Sequence, residues 1–125
     1  MNKPSGVNRL TDASLALSAS TALSTNEDLS TATSWLLTIT ATFNASATAG
    51  LRLYLYPTYD GINFDTQPWD GWFWQMDVND AGNAEIRTSP PLNVSPKGCK
   101  FLLTNLDGTY AITSITVHSV VTNTG

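Results

Sequence analysis

Residues 35–43 read Trp35-Leu36-Leu37-Thr38-Ile39-Thr40-Ala41-Thr42-Phe43, and from Leu37 onward the odd positions are apolar while the even positions are threonine. A period of two turns successive side chains to opposite faces, so this stretch is a strand with one face in a core and one in water. β-Branched threonine suits the wet side of such a strand. The same rule reads outward into the next segment. Leu51, Leu53 and Leu55 alternate with Arg52, Tyr54 and Tyr56. Pro57, which has no N–H to donate to a ladder, is expected to end regular pairing there.

Further along, Trp72, Trp74, Met76 and Val78 share one face. Asn79-Asp80-Ala81-Gly82-Asn83 has the composition of a hairpin turn leading into Ala84–Thr88. Lys100–Thr104 is a short strand, and Asn105-Leu106-Asp107-Gly108 carries the Asp-Gly hairpin signal. Tyr110–Val121 is a long last strand whose two faces are both mixed, so alternation alone does not say which side is inward. Six to eight short strands, separated by Gly, Pro, Asn and Asp turns, predict an all-β protein. The expected architecture is an antiparallel β-sandwich, either jelly-roll or immunoglobulin-like. Its expected core is Leu37, Ile39, Phe43, Leu53, Leu55, Phe101, Leu103, Ile115 and Val117.

The 125 residues suffice for one core. Residues 1–30 are small, polar and nearly free of aromatics, and are expected to form an extended N-terminal arm ahead of a sandwich domain at 31–125. Within it, Leu15, Leu17 and Leu23 alternate with Ser and Ala well enough for one strand. That strand could add to a sheet edge of this chain or of a neighbour. Charged residues make up only 13% of the chain, about half the usual share of roughly 25%. Low charge permits close contacts with neighbours. The net charge of -4 and the scatter of the six basic residues argue against a nucleic-acid partner.

The N-terminus lacks the pattern of a signal peptide, and no apolar run approaches the roughly 20 residues that span a bilayer. A soluble protein made in the cytoplasm, with no membrane partner, is expected. Cys99 is the sole cysteine and His118 the sole histidine. An internal disulfide is therefore excluded, and neither residue has a sequence-local partner for nucleophilic catalysis. No catalytic residue, resident metal or cofactor is expected. His118 reads as a strand-surface residue and Cys99 as a small packed thiol.

Between Leu51 and Val78 lie three of the four tryptophans, three of the four tyrosines and four of the ten acidic residues. Tyr59, Trp69, Trp72, Phe73 and Trp74, together with Leu15 and Leu17 of the arm, are the candidate partner-binding residues. Three readings of the tryptophans stay open. They plug the open end of the sandwich, they anchor another protein, or they stack on the flat faces of a carbohydrate. Asp60, Asn63, Asp65 and Asp70 offer oxygens of the kind calcium takes, but the closing glutamate of a calcium loop is missing. Asp and Asn in such a turn serve local backbone hydrogen bonds more readily.

Two stretches carry a resemblance to a known group of proteins. One is ATFNASATAGLRLYLYPTYDGINFDTQPW, with Asp60-Gly61, Asn63 and Asp65-Thr66 following an alternating strand. The other is KGCKFLLTNLDGTYAITSITVHSVV, with Asn105-Leu106-Asp107, Tyr110 and Ile112–Val117. Over residues 34–122 the chain resembles small β-sandwich virion proteins of tailed bacteriophages. The resemblance implies a non-enzymatic capsid cement or decoration protein on the surface of the virion head. Its implied partners are the major capsid protein and further copies of itself, with a trimer first. A carbohydrate-binding module or the receptor-binding head of a fibre is the competing expectation, and a tail or head-completion protein a third.

Overall fold

A computed structural model describes residues 7–21, 24–69 and 72–123. The chain is all-β, and no helix occurs among the described residues. Eight strands run in order: β1 (Val7–Leu15), β2 (Glu27–Asp28), β3 (Ala32–Phe43), β4 (Leu51–Thr58), β5 (Trp74–Met76), β6 (Ala84–Thr88), β7 (Gly98–Asn105) and β8 (Ile112–Asn123). They form two antiparallel four-stranded sheets, β1-β8-β3-β6 and β2-β7-β4-β5, packed as a sandwich. Four of the pairings are β1·β8, β2·β7, β3·β6 and β4·β5. The chain is thus one long hairpin with its tip between β4 and β5. Two further pairings, β3·β8 and β4·β7, wrap that hairpin into two sheets.

The nine residues expected in the core are all buried, and Trp35, Leu51, Met76 and Ile112 join them. Burying each large side chain contributes about 2 kcal/mol. In β3 every odd residue from Trp35 to Phe43 is buried and every even one is half-buried, as the threonine alternation requires. The buried indole of Trp35 donates from Nε1 to Ser119 Oγ at 3.0 Å, so its one polar atom is satisfied.

The last strand explains why its inward face was not legible. Ile112 is buried, and so are Ile115, Val117 and Ser119. The phase slips because Thr40 faces Thr116 but Thr42 faces Thr113, one residue more on β8 than on β3. Ser114, at φ 53°, occupies this bulge. Buried positions therefore change parity near the start of the strand, between Ile112 and Ile115.

Three local expectations are corrected. Pro57 does not end pairing, since β4 runs to Thr58 with Pro57 opposite Cys99. The Pro57 carbonyl accepts from the Asp65 N–H at 3.0 Å, on the edge away from β7. In a strand N–H and C=O of one residue point the same way, so the missing donor faces a loop and costs the β4·β7 ladder nothing. The turns at 79–83 and 105–108 are not hairpins within a sheet. They carry the chain from β5 to β6 and from β7 to β8, which lie in different sheets. The positive-φ glycines among the described residues are Gly61 and Gly82, so Gly108 does not supply the left-handed geometry of a two-residue Asp-Gly hairpin.

Residues 7–21 and 24–29 of the segment expected as an arm lie against the body of the sandwich. β1 pairs along β8 with three register shifts. The chain then crosses to the second sheet, where Thr21 donates to the Leu103 carbonyl at 2.8 Å and Ser24 to that of Phe101 at 2.9 Å. Residues 1–6, 22–23 and 124–125, including Ser5 and Leu23 of the expected arm, lie outside the described residues.

The sandwich has two flanks where sheet edges meet. On one, Arg9 of β1 donates from Nε and its terminal nitrogen to both oxygens of Glu27 of β2, at 2.6 and 3.0 Å. On the other, the Arg87 guanidinium of β6 lies 5.7 Å from the ring centroid of Trp74 on β5.

Candidate functional site

The seven candidate contact residues do not form one patch. Leu15 is only 4% exposed and belongs to the core. Leu17 is exposed, beside the crossing that Asn105 secures by donating to the carbonyls of Leu15, Ala16 and Tyr110. Tyr59 is also exposed but follows the far end of β4, whose eight residues hold it about 25 Å away along the strand. Trp69, Trp72 and Trp74 are half-buried against the core. Trp74 meets Arg87 across the β5/β6 flank, and the Trp69 N–H donates to the Leu55 carbonyl at 2.9 Å along the β4 edge on the same side. Phe73, between two of the tryptophans, turns the opposite way onto the outer face of the second sheet, where Arg52 stacks on its ring at 4.1 Å.

Tyr59 sits on a turn whose conformation is set by one carboxylate. Asp60 Oδ1 accepts from the backbone N–H groups of Asn63 and Ile62, both at 2.7 Å, and from the Thr58 hydroxyl at 3.1 Å. Oδ2 accepts from the Asn63 amide nitrogen at 2.7 Å. These donors, the Asn63 backbone first, hold the Asp60 carboxyl well below the usual carboxylate range. Gly61 takes a positive φ of 84° in the same turn. Both carboxylate oxygens of Asp60 are thus spent within the turn, and the fourth candidate, Asp70, lies outside the described residues.

The rigid turn presents Ile62, 81% exposed, and Tyr59, 59% exposed. Beside Tyr59 runs a groove of about 290 Å³ lined by Leu29, Ala32, Val94, Pro96 and Lys97 among others. A fixed apolar tip beside a shallow groove suits docking to a surface, because little ordering entropy remains to be lost. No protein-family model and no curated protein matches the chain.

Elsewhere, titratable groups are engaged within the fold. His118 Nδ1 is 2.7 Å from Asn8 Oδ1 on the outer face of the first sheet. Cys99 is buried, and burial pushes its thiol up to about 12, so it carries almost no thiolate at neutral pH. Asp107 accepts backbone N–H bonds from Thr109 at 2.8 Å, Tyr110 at 3.0 Å and Thr48 at 3.1 Å, which hold its carboxyl below the ordinary value. Glu85, nearly buried on β6, accepts from the N–H groups of Asn79 and Asp80. Among the described residues no three His, Cys, Asp or Glu side chains gather as a metal site would require.

Sequence reasoning marked the loop from Tyr59 to Trp74 as a contact surface but did not single out Ile62 within it, because a single apolar residue in a polar turn has no periodicity to mark it. The signal that could have found it is the pair Asp60-Gly61 immediately before, which fixes the turn that exposes it. The outer-face residues Arg52, Tyr54 and Tyr56 were visible as the face opposite the leucines of β4. Their neighbours Phe64 and Lys100 come from other segments and were not.

Proposed function

We propose that the chain is a non-enzymatic structural protein of a tailed-phage virion, a capsid cement or decoration protein that docks on the head lattice through the end of the sandwich bearing Tyr59 and Ile62. The observation that carries this reading is the exposed apolar tip held rigid by Asp60. Low surface charge supports it. So does the winding, which we read as jelly-roll because every hairpin-related strand pair is hydrogen-bonded. Contacts from many copies on a lattice act together, so each can be weak. Assembly as a trimer places three such tips on one local threefold position.

Quantitative mass spectrometry of gradient-purified phage particles tests the reading. A copy number of the same order as the major capsid protein is expected. Ile62→Asp, on a largely exposed side chain, leaves the fold intact and is expected to abolish binding to capsids stripped of the protein. A few copies per particle would assign the chain to the tail or a fibre, and capsid binding by Ile62→Asp equal to wild type would overturn the docking end.

A further inference from the structure

The outer face of the second sheet differs from that of the first. On the first, threonines dominate, as in the facing pairs Thr40–Thr116 and Thr42–Thr113. On the second, the middle strands place Tyr54 opposite Leu102 and Tyr56 opposite Lys100, with Arg52 opposite Thr104. Phe73 flanks this strip, its ring centroid 6.4 Å from that of Tyr54. Phe64 flanks the other end, beneath Lys100 Nζ at 4.3 Å. Four aromatic rings and two cations therefore share one face.

The cations on it have neutral partners among the described residues. Arg52 donates from Nε to Gln75 Oε1 at 2.9 Å, and Lys100 stacks on Phe64. Among the described residues the one ion pair is Arg9 with Glu27, so neither cation meets a carboxylate. In a chain of net charge -4 this is an unusual use of two of its six basic residues. They stand four residues apart along the ladder, about 13 Å.

A peptide has no main-chain hold here. Residues 18–21 and 24–28 line the edge of β7, and the loop through Asp65 and Trp69 continues β5 along β4, so neither interior strand offers an open edge for strand addition along these residues. What remains is recognition by side chains alone: ring faces and edges, the hydroxyls of Tyr54 and Tyr56, and two separated cations. Those groups match a ligand with apolar C–H faces, many hydroxyls and carboxylates spaced along a chain. We propose that this face binds an acidic polysaccharide built of hexuronate sugars. The site is distinct from the docking end, so the two proposals fail separately.

Affinity electrophoresis of the full chain through gels containing polygalacturonate or alginate tests it. Fully methyl-esterified polygalacturonate, the same polymer without charge, and polyglutamate, a polyanion without sugar rings, are the controls. Retardation by at least one hexuronate polymer is expected, about tenfold stronger than by either control. Tyr54→Ala and Lys100→Gln should each weaken it about tenfold, with Tyr59→Ala unchanged. Lys100→Gln removes a charge and its stacking on Phe64 without touching the core, so it decides the matter if Tyr54→Ala unfolds. No retardation by either hexuronate polymer, equal retardation by polyglutamate, or wild-type binding by Lys100→Gln would overturn the proposal.

Discussion

The two flanks of the sandwich meet the same demand by opposite chemistry. Where β1 meets β2, a guanidinium grips a carboxylate whose side chain is only 3% exposed. Where β5 meets β6, half-buried indoles fill the gap and Arg87 lies over one of them. An ion pair fixes two edges at one point and in one orientation, but leaves a costly charge behind if either partner goes. Indoles spread the closure over area and tolerate change, because apolar contact is not directional. The ionic flank should therefore be brittle and the aromatic flank compliant.

The largest expected effect breaks the ionic flank. Arg9→Leu leaves the Glu27 carboxylate buried without its partner and should lower unfolding free energy by about 3 kcal/mol. Urea denaturation measures it. Replacing both residues, Arg9→Leu with Glu27→Met, removes the stranded charge and should return stability to within about 1 kcal/mol of wild type. A double variant as weak as the single one would show that the flank depends on the pair itself.

On the aromatic flank, Trp74→Ala should cost about 2 kcal/mol, less than for a fully buried indole because Trp74 keeps part of its surface in water. Trp74→Leu should recover about half of that. Compliance predicts this graded response; a loss from Trp74→Leu as large as from Trp74→Ala would contradict it.

These flanks also mark how far the sequence could be read. The strands with clean alternation, β3 and β4, were legible because burial on one face follows from a period of two. The aromatic flank was half legible, since the spacing of Trp72 and Trp74 puts them on one face but does not say that β6 lies opposite. The ionic flank was not legible, because Arg9 and Glu27 meet only once the chain has crossed between sheets, which no local pattern encodes. The candidate site suffered most. Side chains grouped by their nearness in sequence are sent to different surfaces, Leu15 and Leu17 because β1 ends at Leu15 and the chain turns at residues 17–18, Phe73 and its tryptophan neighbours because side chains alternate on the way into β5.

A carboxylate also ties the end between the flanks, where Asp107 joins residues 48 and 49 to residues 109 and 110. Its folded pKa lies below the unfolded value of about 3.9. A depressed carboxyl contributes stability that is present above the unfolded pKa and lost as pH falls through the folded one. Asp107→Asn should therefore melt well below wild type at pH 7, and the gap between them should shrink as pH drops below about 4. Thermal melts followed by circular dichroism across that range check it. A constant gap would mean the carboxylate's charge is not what ties this end.

The smallest effect is the sharpest test of the contrast. If indole packing closes the β5/β6 flank, the guanidinium over Trp74 is an accessory, since at 5.7 Å and largely solvated it should contribute about 0.5 kcal/mol. A double-mutant cycle of Arg87→Ala with Trp74→Leu isolates that coupling from the packing loss. A coupling near 0.5 kcal/mol keeps the two flanks distinct. A value above about 1.5 kcal/mol would place a desolvated cation at the heart of the aromatic flank as well. Both flanks would then be held by arginine, with Glu27 on one side and the π-face of Trp74 on the other as the acceptor, and brittleness would be a property of the whole sandwich.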